Sequence, residues 1–191
     1  MSSFTGKYYQ HLFSIAGSIR ATNKEGGKLD FTVAVEEVIG LIRSLASGDK
    51  LMFIGNGGSA AISSHMAVDF WKNGGIRAVA FNDTSQLTCV ANDCGYENVF
   101  EKPIEMFADH SDILFAISCS GRSENVLRGV LAARAKGCRV VTLSGFDADN
   151  PLSSLGDYNF YVPSKSYGPV EVIHHSLCHC LLDAILKTKN G

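Results

Sequence analysis

No C-x-x-C pair, no apolar run approaching the ~20 residues that a membrane helix needs, and no strong net charge occur in this chain. The first absence bears on six cysteines, at positions 89, 94, 119, 138, 178 and 180. No signal peptide precedes them and three lie in or beside apolar runs, so they read as reduced thiols serving as small interior residues of a cytoplasmic protein. Cys178-x-Cys180 is a poor metal pair, because residues two apart on a helix point in different directions. The second absence argues against a membrane anchor. The third, a net charge of −2 and a pI of about 6.3, argues against a broad nucleic-acid surface. It leaves room for a small phosphate-bearing ligand, which needs only a local positive potential. No internal repeat or linker interrupts the 191 residues, and 46% hydrophobic against 19% charged residues is a globular composition, so 1–191 reads as one domain.

The stretch that organises the chain is 51–69. An apolar run at 51–54 has the length of a buried strand. Gly55-Asn56-Gly57-Gly58 then breaks the regular structure, and Ser59 is suited to cap a helix rich in Ala, Ile and Met. A strand, a Gly-rich turn and a helix N-terminus together favour an anion, through exposed N–H groups and the helix dipole. The same helix carries His65 and Asp69, four residues apart and so on one face.

Around this stretch the pattern alternates. Residues 1–25 show helical spacing of Phe4, Tyr8, Leu12, Phe13, Ile15 and Ile19, ended by Gly26-Gly27; Asp30 caps a second helix over 31–46. Strands are expected at 51–54, 78–81, 113–117, 139–143 and 158–162, and helices at 60–72, 84–91, 97–108, 123–136 and 169–187. That rhythm predicts an α/β fold: a doubly wound, three-layer α-β-α sandwich on a five-stranded parallel sheet, with N-terminal helices added. Ligands of such sheets sit at the carboxyl ends of the strands.

After the strand at 113–117 comes Ser118-Cys119-Ser120-Gly121-Arg122-Ser123, a hydroxyl-rich loop feeding a helix near Ser123. Alone it is equally well a capping turn; beside the Gly55–Ser59 turn on the same sheet edge it predicts a phosphate site. Asn92 and Asp93 follow a short helix and either reach the ligand or merely turn the chain. The last helix, opened by Gly168-Pro169, carries Glu171, His175 and His179 in register, with His174 on the neighbouring edge. Glu and His on one helix, with His65 and Asp69 on another, fit a divalent metal held by His65, Asp69, Glu171 and His179, or a general acid–base pair. A plain interhelical hydrogen-bond network is the alternative.

Gly55-Asn56-Gly57-Gly58-Ser59, the Ser118-x-Ser120-Gly121-x-Ser123 loop, Asn92-Asp93 and a late helix with Glu171, His174 and His179 together resemble the sugar-isomerase (SIS) domain family, in its phosphoheptose isomerase branch. The resemblance covers nearly the whole chain. It implies interconversion of sedoheptulose 7-phosphate and a heptose 7-phosphate. The family's phosphate loop falls on Ser118, Ser120 and Ser123, with Ser59 and Asn56 helping and Gly57 and Gly58 between them. Its zinc-binding histidine falls on His65, its catalytic glutamate on Asp69, its glutamine on Glu171 and its catalytic histidine on His179. Relatives are tetramers with sites at subunit interfaces, so 1–48 is expected to pack on partner subunits.

Two departures mark a divergent subgroup. Asp69 is shorter than glutamate by one bond, about 1.5 Å. Glu171 adds a negative charge where the family has a neutral amide; residues 166–169 also lack the Asp and Arg usual there. The expected activity is aldose–ketose isomerisation of a sugar phosphate, with no nucleic acid or membrane as partner. The rival readings are a SIS-type protein that binds a protein partner without chemistry, and a sugar-phosphate sensor.

Overall fold

A computed structural model describes residues 3–189, with the side chains of the last turn beyond residue 187 left aside. The chain opens with α1 (Phe4–Ala16), capped by the Ser3 hydroxyl, which accepts from Gly6 N at 3.1 Å. The expected helical stretch 1–25 ends there. Arg20–Asn23 forms β1 instead and Lys28–Leu29 forms β2, joined by a turn in which Asn23 Oδ1 accepts from Gly27 N at 2.7 Å. Asp30 then caps α2 (Phe31–Arg43), accepting from Thr32 N at 2.9 Å and Val33 N at 3.1 Å.

From there strand and helix alternate: β3 (Leu51–Gly55), α3 (Gly58–Lys72), β4 (Ala78–Ala80), α4 (Thr84–Cys94), α5 (Glu101–Phe107), β5 (Ile113–Ser118), α6 (Glu124–Ala135), β6 (Arg139–Ser144), β7 (Tyr158–Tyr161) and α7 (Tyr167–Lys189). The expected helix over 97–108 is split. Tyr96–Asn98 is a 3-10 turn, and α5 follows with Pro103 in its first turn, where the missing N–H removes no helical bond.

The sheet has seven strands, not the expected five, in the order β2-β1-β7-β6-β5-β3-β4. The five expected strands form its parallel part, and β1 and β2 extend it antiparallel from β7, with Ala21 opposite Phe160. Both faces are covered, which is why β3 and β5 are buried along their whole length. On one face α2, α3 and α7 bury Val38, Met66, Phe70 and Leu181 against Phe53 and Phe115, whose rings stack 5.0 Å apart. On the other, α5 and α6 bury Ile104, Val126 and Val130 against Met52, Ile54 and Leu114.

The chain leaves β3 through α3 on the first face to reach β4, and leaves β5 through α6 on the second to reach β6. Between β3 and β5 the winding direction therefore reverses. The turns after these two strands part to opposite faces and leave a crevice at their carboxyl ends.

His174 belongs to this framework. It is fully buried, and its Nε2 lies 3.1 Å from the Ser144 carbonyl oxygen, which can only accept, so that nitrogen carries the proton. Burial pushes its pKa down to about 4, the Ser144 bond opposing the shift. Below an ordinary histidine pKa of about 6.5 the unfolded chain takes up a proton that the folded chain refuses. Unfolding free energy is therefore expected to fall by roughly 3 kcal/mol between pH 6.5 and pH 4 and then level off. Urea unfolding across that range checks it, with the slope reduced in His174→Gln.

Candidate active site

The first wall of the crevice is the turn after β3. A Cβ on Gly55 would lie 2.7 Å from Ser59 Cβ and 2.9 Å from the Ile117 carbonyl oxygen, so only a hydrogen lets α3 start hard against the strand. Gly57 has φ 55° and ψ −122°, a conformation that costs glycine little. Gly57 is the helix cap and has no side chain to offer; Ser59, the expected cap, lies inside the first turn and is buried. The start of α3 therefore has no side-chain cap of its own, and the Glu171 carboxylate lies beside Gly58 there. Gly55→Ala meets backbone, not a flexible side-chain end, and is expected to cost about 1–3 kcal/mol by urea unfolding.

The second wall is the loop after β5. Ser118 Oγ accepts from Gly121 N at 3.2 Å and stands 3.4 Å from Ser123 Oγ; Ser120 Oγ accepts from Arg122 N at 3.3 Å. Ser123 is the N-cap of α6 but makes no capping bond, its hydroxyl being turned to Ser118. Arg122 points outward to Asp149.

Between the walls lies a cavity of about 230 Å³ lined by Asn56, Gly57, Gly58, Ser59, Ser118, Ser120 and Ser123, together with Cys119, Tyr167 and Glu171. The structure thus brings together every expected phosphate-loop residue. Cys119 is no nucleophile there: burial, reinforced by the Glu171 charge, pushes its thiol up to about 11. Asn92 and Asp93 are not on this lining. They sit exposed on α4, where Asn92 Nδ2 donates to Asp93 Oδ1 at 2.7 Å and Cys89 Sγ approaches Asp93 at 3.6 Å.

Asn125 escaped the sequence reading. Its amide and that of Asn56 bond reciprocally, both at 2.9 Å, and Tyr96 OH adds a bond to Asn56 Oδ1 at 3.1 Å. This pair ties the β3 turn to the first turn of α6, and so one wall to the other. Its one sequence signal is its place two residues after Ser123. Asn125→Leu leaves Asn56 Nδ2 without its partner, with an expected loss of about 1–3 kcal/mol of stability and a raised KM, checked by urea unfolding and initial rates.

Beyond the cavity, two turns along α3 and α7, the titratable residues gather. His65 Nε2 lies 3.3 Å from Asp69 Oδ2, and Asn73 Nδ2 donates to Asp69 Oδ1 at 3.2 Å. The His65 ring is 5.4 Å from the His179 ring and 5.0 Å from that of His175; His175 and His179 are 4.6 Å apart. One donor atom from each of the three lies within 4.8 Å of the others, a grouping able to hold a metal ion. Burial, with His179 and His65 adding to it, holds His175 below the usual imidazole pKa, so its ring is neutral and has a lone pair to give.

The expected metal set is therefore only partly assembled. His65 and His179 are together and Asp69 stands beside His65, but Glu171 is not in that group. Its carboxylate lies over Gly58 at the start of α3, in contact range of any Cβ placed there. The reason is geometric: Glu171 stands one turn of α7, about 5.4 Å, nearer the start of the helix than His175, level with Gly58 and not with His65.

A doubly wound α/β protein, with a serine- and glycine-lined cavity at its switch point and a cluster of histidines and an aspartate beyond it, is the class that fold and site define. The chain belongs to the SIS domain family, whose model matches residues 34–145. The phosphoheptose isomerase of Helicobacter hepaticus is 39% identical over 151 residues, 76% of each chain, and that of Thiobacillus denitrificans 39% identical over 153 residues, 76% of this chain and 78% of the other. The solved phosphoheptose isomerase of Neisseria gonorrhoeae superposes with a TM-score of 0.82 at 27% identity, covering 95% of this chain and 97% of that one.

Proposed function

We propose that this chain is an aldose–ketose isomerase of sugar phosphates that interconverts sedoheptulose 7-phosphate and a heptose 7-phosphate. The observation that carries the reading is the alignment of two sites along one pair of helices. From Ser59 to His65 the axial rise is roughly 9 Å, and the six carbon–carbon bonds of an open heptose chain, at ~1.5 Å each, have a similar contour.

In this reading the phosphate accepts hydrogen bonds from Ser59, Ser118, Ser120 and Ser123 and lies on the α3 dipole. The open-chain sugar runs between α3 and α7 toward His65. Asp69 takes the proton from the carbon α to the carbonyl and returns it to the neighbouring carbon. His179 acts at the substrate oxygens, directly as a proton donor or by holding a divalent cation together with His65. The donor set fits such an ion, because His175 Nε2 is buried with no hydrogen-bond partner among the described residues, and nitrogen donors beside a carboxylate suit zinc. When bound, that ion supplies Lewis-acid polarisation of the carbonyl. Asn92 and Asp93 then reach the ligand only if α4 moves toward it.

We read 1–191 as a single domain and the protein as a homotetramer, with 1–48 packing on partner subunits. The support is that α1 leaves Phe4, Tyr9 and Phe13 exposed. Six free cysteines support a reducing, cytoplasmic setting, and among the described residues no helix is long and apolar enough to cross a membrane.

The substrate assignment is tested by incubating the purified protein with sedoheptulose 7-phosphate and following the aldose by NMR. Appearance of a heptose 7-phosphate is expected; turnover of hexose or pentose phosphates alone would move the substrate class while leaving the reaction type in place.

A further inference from the structure

We propose that His175, and not Glu171, completes the metal centre of this chain, so that a zinc-type cation is held by the imidazoles of His65, His175 and His179 beside Asp69, while Glu171 stays apart from it, against Gly58 at the start of α3. The inference deepens the proposed isomerase site in its cation alone. His175 and His179 are one turn apart on α7, His65 and Asp69 one turn apart on α3, and the two helices pack on one another through the core of the same sheet face. Between them they bring three imidazole donors, from His65, His175 and His179, within 4.8 Å of one another, with Asp69 3.3 Å from His65.

Among these groups His175 is the one with a ring nitrogen buried and left unsatisfied. Its Nε2 is buried and has no hydrogen-bond partner among the described residues, a costly state for a ring nitrogen unless something binds there. Asp69, by contrast, is held by Asn73, and His65 by Asp69. Glu171 is already placed, with its carboxylate against Gly58 at the positive end of α3.

The exchange alters the charge of the centre. Two imidazoles with two carboxylates would cancel a divalent ion; three imidazoles with one carboxylate leave one net positive charge at the end of the site where a substrate oxygen gains electron density. It also settles the role of His179. A ring committed to the ion does not shuttle protons, and Asp69 is left to move the carbon-bound proton.

The test reads the coordination sphere directly, in the full chain loaded with cobalt(II). His175→Cys is expected to show a sulfur-to-cobalt charge-transfer band absent from the unsubstituted protein, and Glu171→Cys is expected to show none. Zinc affinity, measured by competition with a chromophoric chelator, is expected to fall at least about 100-fold in His175→Gln, a loss that even partners outside the coordination sphere can produce. Glu171→Gln is expected to leave it within a few-fold. A charge-transfer band in Glu171→Cys but not in His175→Cys would overturn the assignment, as would a chain that binds no zinc above background. Neither result bears on isomerisation, which is read separately from product formation without reference to metal content.

Discussion

Asp69→Asn is expected to lower kcat by roughly 10²–10⁴-fold, with KM changed only a few-fold. The amide keeps the shape and the bond from Asn73 but can no longer accept a proton from carbon. The carboxylate is only partly exposed and stands 3.3 Å from His65. Because the change removes an interaction made only on the way to the transition state, kcat and kcat/KM should fall together. Initial rates with sedoheptulose 7-phosphate check this, and phosphate-site binding by calorimetry should be nearly unchanged. Asp69→Glu, which moves the carboxylate about 1.5 Å further along, is the informative companion. Retained activity there would show that the rings, not the length of the aspartate, set the position of the substrate.

Ser120→Asp is expected to do the reverse, raising KM by roughly 10²-fold while sparing kcat. Ser120 is a cavity-lining residue on a loop whose backbone is fixed elsewhere. Gly121, at φ 61°, packs against the buried Asn150 side chain, and its carbonyl oxygen accepts from Leu152 N at 3.1 Å. A carboxylate at position 120 therefore meets the phosphate instead of rearranging the loop, replacing one charge-assisted hydrogen bond by a like-charge contact. Raised salt should partly relieve the defect, which a disrupted fold would not show. Rates measured against substrate concentration at two ionic strengths separate the two explanations.

The parts of the fold that were legible in the chain are those written locally. An apolar run, three glycines and a helical stretch follow one another over 51–69, and the hydroxyl loop after 113–117 repeats the scheme. Once both were placed at strand ends, the switch point followed from topology. The sixth and seventh strands were not legible. Arg20–Asn23 buries only Ala21 and earns its strand character from pairing with Tyr158–Tyr161, far along the chain. No periodicity within four residues reports a partner so distant.

The ring cluster was half legible. Helical spacing puts positions 171, 175 and 179 on one stripe, but a shared stripe does not say which of its turns faces His65. The turn at 171 faces Gly58, and those at 175 and 179 face His65. His174 shows the complementary limit. One position off the stripe, it looked like a member of the site, yet it is fully buried and bonded to Ser144. A rotation of one residue on the helix separates a framework histidine from one that faces His65 and His179.

Incorporation of deuterium at the carbon α to the carbonyl, followed by NMR during incubation with sedoheptulose 7-phosphate in deuterated water, tests most directly whether these two helices carry out proton transfer. Label should enter substrate and product in the unsubstituted protein and be lost in Asp69→Asn. Aldose formed with no label, the hydrogen having moved without reaching an exchangeable group, or label entering equally well in Asp69→Asn, would contradict a carboxylate-mediated isomerisation at this site.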